Sequence, residues 1–249
     1  MLEVDHLDLA AGSVTSVVGP NGSGKSTLLH AVAGLLDGDT GSVEVLGTDP
    51  VTARSRVAYV LQAVAVTEHL PITVREVVTM GRYAVRGPFG RLRAADRDAV
   101  DRAIERLELA DLAQRHLGEL SGGQRQRALV AQALAQEAEV LLLDEPVTGL
   151  DLASVERIRR VVDEERAAGR TVVVATHDLA DARTADHLVL LAGRVVASGP
   201  PSTALTRRSL AEAYGSRLLR LDGDTVLLDD GAHHGHGGDT HDHHASHPV

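Results

Sequence analysis

The nine residues Gly19 to Thr27, GPNGSGKST, match the spacing G-x-x-x-x-G-K-[ST] over Gly19 to Ser26. Glycines at 19, 22 and 24 let the backbone turn tightly and aim N–H groups inward at phosphate oxygens. Lys25 brings a compact ammonium that threads between β- and γ-phosphates, where a flat guanidinium fits poorly. Of 25 basic residues, Lys25 is the single lysine and the other 24 are arginine, so it escapes a strong compositional bias. Ser26 offers a hydroxyl to Mg2+. The flanks agree: SVTSVVG reads as a buried strand entering the loop. KSTLLHAVAGL reads as a helix whose positive N-terminal end faces the same anion.

Two further stretches carry chemistry. In EVLLLDEPVTGLD, Val140 to Leu143 form a short apolar run of the kind buried on both faces of a parallel sheet. Asp144 and Glu145 close that run, at the strand end where open α/β sheets place ligands. One carboxylate there can hold Mg2+ and the next can polarise an attacking water. In LSGGQRQRALVAQALAQ, Ser121 is placed as the N-cap of an amphipathic helix. Gly122 and Gly123 then leave the first N–H groups bare for an anion.

A phosphate loop, then LSGGQ, LLLDEP, GLD and ATHD, in that order and at ordinary spacings, resembles the ATP-binding subunit of an ABC transporter over about residues 1–220. The LSGGQ signature separates this family from nucleotide kinases and GTPases. The resemblance implies binding of ATP and Mg2+ by Gly19, Pro20, Asn21, Gly22, Ser23, Gly24, Lys25, Ser26 and Thr27, with Ser26, Gln62 and Asp144 about the Mg2+. It implies that Gln62, in YVLQ, senses Mg2+ and the attacking water, that Glu145 is the general base, and that His177, in ATHD, contacts the γ-phosphate. Asp151 falls in the loop that communicates between paired sites. Ser121, Gly122, Gly123 and Gln124 would close over ATP held by Lys25 of a second copy, since one chain carries one phosphate loop and one signature.

Two regions depart from the family pattern or vary within it. Relatives carry an aromatic residue upstream of the phosphate loop that stacks on adenine, yet none of the 18 residues before Gly19 is Phe, Tyr or Trp. Either the start lies upstream of Met1, or aliphatic contacts hold adenine with weaker affinity, since such stacking contributes roughly 1–3 kcal/mol. Beyond Gln62, the stretch from Ile72 to Leu120 reads as helices with Val100, Ile104 and Leu107 on one face, broken by a turn at RGPFG. Its segment GRYAVRGPFGRLR is similar to that of zinc and manganese uptake ATPases.

The C-terminus holds His233, His234, His236, His241, His243, His244 and His247 within fifteen residues, with Asp239 and Asp242 among them. Imidazole suits Zn2+, Ni2+ and Cu2+, and without fixed tetrahedral spacing the stretch reads as a metal-binding tract of low selectivity, a candidate site for Zn2+, with a solvated tail or a purification tag as the alternatives. Gly and Ser predict disorder for about 229–249.

The elements that must position these residues fit a chain of 249 residues, 43% hydrophobic and 2% aromatic, hence with an aliphatic core. Net charge is −10, six of it from aspartates near the C-terminus, so no nucleic-acid-binding surface is expected. Cysteine is absent, which excludes disulfides and thiolate metal sites. No apolar run approaches the ~20 residues of a membrane span, and the N-terminus lacks the layout of a signal peptide. The expected fold is α/β: a phosphate-loop NTPase core on a mostly parallel sheet, a helical insertion and a small N-terminal antiparallel β element. An ABC-type domain would span 1–228, with a helical subdomain about 66–135 and an appendage about 200–228. The expected function is ATP hydrolysis energising uptake of a divalent metal, zinc before manganese. Expected partners are a second copy, an integral-membrane permease and, indirectly, an extracytoplasmic metal-binding protein, with the chain cytoplasmic and peripheral on the inner membrane face. Importers of haem, siderophore or cobalamin, metal export, and a soluble ABC protein of translation or repair are the alternatives.

Overall fold

A computed structural model describes residues 2–36, 38, 40–61, 71–87 and 89–215, together with the backbone of two short strands at 218–220 and 226–228. Along the chain come β1 (Val14–Val18), α1 (Lys25–Val32), α2 (Pro50–Ala53) and β2 (Val57–Val60). Three helices follow: α3 (Val74–Arg86), α4 (Ala94–Arg106) and α5 (Gly122–Ala135). Then β3 (Val140–Asp144), α6 (Leu152–Ala167), β4 (Thr171–Thr176), α7 (Leu179–Ala182), β5 (His187–Leu191) and β6 (Val195–Gly199) complete the sheet. Beyond it lie α8 (Pro201–Ala204), α9 (Arg207–Tyr214) and the paired strands β7 (Leu218–Arg220) and β8 (Val226–Leu228).

The six-stranded sheet runs β2-β3-β4-β1-β5-β6, parallel throughout except for β5 against β6. The mostly parallel sheet expected from the sequence is thus present, and its antiparallel pair lies at the β5–β6 edge. The described N-terminal residues join more lightly: Glu3 makes an isolated parallel bridge with Arg194 between β5 and β6, while the antiparallel bridge Val45–Thr48 only closes its own loop.

Parallel strands covered on both faces need apolar residues at every position, and alternation assigns each to a layer. On β3, Val140 and Leu142 pack with Val17, Leu29, Val57, Val173 and Ala175 against the α1 side. Leu141 and Leu143 instead join Val100, Ile104, Leu107, Val130 and Ile158 beneath the helices. The face expected on α4 is real, since Val100, Ile104 and Leu107 are all buried. Asp144 continues the Val140–Leu142 parity, so its Cβ points to the α1 side.

The helices between β2 and β3 are fixed by caps and one buried ion cluster. Thr73 caps α3 in a reciprocal box with Glu76, and Ser121 does the same for α5 with Gln124. Asp96 of α4 is fully buried. It accepts from the Arg93 N–H at 2.8 Å, from Arg82 Nε at 2.9 Å and from Arg86 Nε at 3.0 Å. Arg82 also donates to the Ala135 carbonyl at 2.8 Å, which ties the end of α5 into the cluster. Those donors, the Arg93 N–H foremost, hold the Asp96 carboxyl down to about 2.

Candidate nucleotide site

Register decides what meets at one edge of the sheet. Val18 pairs with Thr176, Asp144 with Ala175, and Val60 with Leu143. The strands β1, β3 and β4 therefore end level, and each hands its next residues to the same edge: the loop from Gly19, then Glu145, then His177. Leu61, following β2, is the last described residue there; Gln62 lies outside the described residues, as do the histidines from His233 to His247.

The loop closes on itself through Ser23 N–H donating to the Pro20 carbonyl at 3.1 Å. Gly24 has φ +102°, a left-handed value that L side chains rarely adopt, and it is the N-cap of α1. Helical geometry begins at Lys25, so the N–H groups of Lys25, Ser26 and Thr27 stand at the open end of the helix. Lys25 is buried and its Nζ donates to the Gly19 carbonyl at 2.8 Å and the Pro20 carbonyl at 3.3 Å. Leu2 packs at the place where a side chain on residue 24 would stand, bringing an aliphatic group beside the loop.

Asp144 is 3% exposed. Its Oδ2 accepts from the Tyr59 hydroxyl at 3.2 Å, and among the described residues its Oδ1 has no hydrogen-bond partner. A buried carboxylate oxygen without a donor is costly unless a cation or a water meets it, and this donor set fits Mg2+, a hard ion that takes oxygen. Burial first, then the Asp144 charge, pushes the Tyr59 phenol well above its ordinary range, so it stays a donor.

Glu145 leaves the strand with φ +46°, unusual for a residue with a side chain, while its N–H still donates to the Ala175 carbonyl at 2.9 Å. Its Oε2 accepts from the Thr148 hydroxyl at 3.3 Å and lies 3.7 Å from His177 Nδ1. Strand end, strained backbone and a threonine hydroxyl together aim this carboxylate.

The signature and the loop after β3 meet within the chain. Asp151 caps α6, accepting the Ser154 N–H at 2.9 Å and the Ser154 hydroxyl at 2.8 Å. These bonds, the N–H first, hold its carboxyl below the usual range. Gly123 of α5 abuts that pair: a Cβ there would lie 2.3 Å from Asp151 Oδ2 and 2.5 Å from Ser154 Oγ. Gly122 has open space beside it.

The structure thus brings together Gly19 to Thr27, Asp144, Glu145 and His177, and separately joins Gly123 to Asp151. Sequence reasoning missed Tyr59. Its signal was position, three residues before Gln62 on a strand that neighbours β3, but strand order is not written in local pattern. Among the described residues no group of three or more His, Asp or Glu is arranged to hold a metal, and no helix is long and apolar enough to cross a membrane.

A phosphate loop, an acidic strand end and an LSGGQ helix on this sheet define an ATP-binding cassette. The family model described as ABC transporter matches residues 2–148. A probable metal transport system ATP-binding protein of Chlamydia muridarum is 38% identical over 228 residues, 91% of this chain and 88% of its own. A manganese transport system ATP-binding protein of Synechocystis sp. is 40% identical over 207 residues, 82% of this chain and 80% of its own. Among solved structures, a metal-chelate type ABC transporter in an inward-facing conformation matches with TM-score 0.74 and 31% identity, covering 84% of this chain and 80% of that one. A dimeric cassette in a post-hydrolysis state with ADP and phosphate matches with TM-score 0.69 and 28% identity, covering 78% and 88%. The chain belongs to the ATP-binding subunits of ABC transporters, a family of ATPases that bind ATP and Mg2+.

Proposed function

We propose that this chain is the ATP-hydrolysing subunit of an importer for a divalent metal ion, working as two copies beneath a membrane permease. The chemistry rests on one observation above all: a buried Asp144, one oxygen of which has no partner among the described residues, is followed directly by a strained, aimed Glu145 at the edge where the phosphate loop begins.

In this reading the N–H groups of the loop and Lys25 hold the β- and γ-phosphates. Ser26 and Asp144 would hold Mg2+, which when bound neutralises phosphate charge. Glu145 takes the proton of the attacking water, and His177 meets the γ-phosphate. Gln62 would report metal and water to the permease. Ser121 to Gln124 of a second copy close the site, with Asp151 carrying the state of one site to the other. The domain bounds read from the sequence, including the helical part about 66–135, belong to the same proposal.

The metal assignment is supported by relatives named for metal and for manganese transport. Their names put manganese forward, whereas the sequence favoured zinc on the ground of its histidine tract at 233–247. Manganese is therefore the first substrate to test and zinc the second. The extracytoplasmic metal-binding partner and the location on the inner membrane face follow from the same reading.

The test is total manganese, zinc, iron and nickel in cells grown in metal-poor medium. Cells lack the gene or carry it as wild type or Glu145→Gln. A manganese deficit repaired by wild type alone supports the proposal. A zinc deficit repaired in the same way favours the tail's reading, and unchanged metals in every strain would remove the metal assignment.

A further inference from the structure

We infer that Tyr59 is a positioning residue for the Mg2+-holding carboxylate: its hydroxyl occupies Asp144 Oδ2 and reserves Oδ1 for the metal. This rests on the reading that Asp144 holds Mg2+.

An aspartate carboxylate turns about a broad, roughly two-fold torsion, so burial alone does not decide which oxygen faces a ligand. Here one does. The Tyr59 hydroxyl donates to Oδ2 at 3.2 Å and Oδ1 is left without a donor among the described residues. Tyr59 is itself held. Its ring meets the His30 ring edge-on, with centroids 5.5 Å apart and planes at 82°, a favoured aromatic arrangement. His30 stands on α1, the helix that Lys25 begins, and Tyr59 pairs in register with Leu142, two residues before Asp144. Phosphate-loop helix, β2 and β3 are thus linked by three side chains, all on the α1 side of the sheet. A change in where α1 sits reaches the metal carboxylate through one ring and one hydroxyl.

A tyrosine serving only as core filler would make the same contacts but would not affect metal affinity. Partners that orient metal ligands typically change metal affinity about 10- to 100-fold when lost. Tyr59→Phe keeps the ring and its contact with His30 and removes only the donor, which makes it the informative variant.

The experiment uses the full chain and measures ATP affinity in EDTA and across a Mg2+ titration. Mn2+ binding to the ATP-loaded chain is followed in parallel by electron paramagnetic resonance, with Asp144→Asn as reference. For Tyr59→Phe, ATP affinity in EDTA should match wild type, while Mg2+ and Mn2+ affinities fall about tenfold or more. In turnover, the KM for Mg2+ should rise more than kcat falls. If Asp144→Asn loses metal affinity and Tyr59→Phe does not, the inference is wrong and the parent reading stands. If Asp144→Asn itself leaves metal affinity intact, both fall. Should Tyr59→Phe not fold, His30→Leu frees the ring and retains the hydroxyl. It should weaken metal binding in the same direction, and unchanged affinity there overturns the inference.

Discussion

Glu145 and Gly123 show how single residues are committed at this site. Glu145 keeps its side chain at φ +46°, where glycine would be easier, so the carboxylate is what the position retains. Glu145→Gln should bind ATP as wild type does and lose turnover by about 10²- to 10⁴-fold, the usual worth of a positioned base. Steady-state hydrolysis beside nucleotide binding reads both, and wild-type turnover would refute the base assignment. Gly123 is committed by space. Alanine there drives a methyl into Asp151 and Ser154, so Gly123→Ala should lower stability by about 1–3 kcal/mol, as overpacking does. Gly122→Ala meets nothing, and only the usual surface change of about 0.5 kcal/mol or less is expected. Urea melts of the two variants separate packing from anion contact, a distinction the letters GG alone do not make.

At the scale of elements, the helices between β2 and β3 hang on Asp96. Its carboxyl is held down to about 2 against 3.8 for the free side chain. The stabilisation it gives is therefore fully present above about pH 4 and lost as pH falls through about 2. Asp96→Asn should lower the urea midpoint at pH 7, and the gap to wild type should close between pH 4 and pH 2. A gap that stayed constant would mean that the charge is not what the arginines need. Much at this scale was legible beforehand. SVTSVVG and EVLLLD became β1 and β3 because unbroken apolar runs of that length suit a sheet covered on both faces. Ser121 became an N-cap because its hydroxyl has an orphan N–H to meet three residues on. The Asp96 cluster was not legible, since Arg82 and Asp96 lie 14 residues apart on different helices. Tyr59 escaped for a related reason: its partner Asp144 is 85 residues away, and only strand order brings them together.

The whole molecule carries one phosphate loop, ending β1, and one signature, opening α5. In the proposed reading each serves a different nucleotide, so the folded chain is half of a machine and its affinity for ATP is linked to its affinity for itself. Loop and signature then become sides of one site only when two copies pair about a two-fold axis. The most direct measurement is the molar mass in solution of Glu145→Gln, with and without Mg-ATP, by light scattering behind gel filtration. Single monomers without nucleotide and dimers with it, abolished when Lys25→Ala or Gly122→Asp is added, is the predicted result. A Glu145→Gln chain that binds Mg-ATP and stays monomeric at every concentration would contradict the shared site.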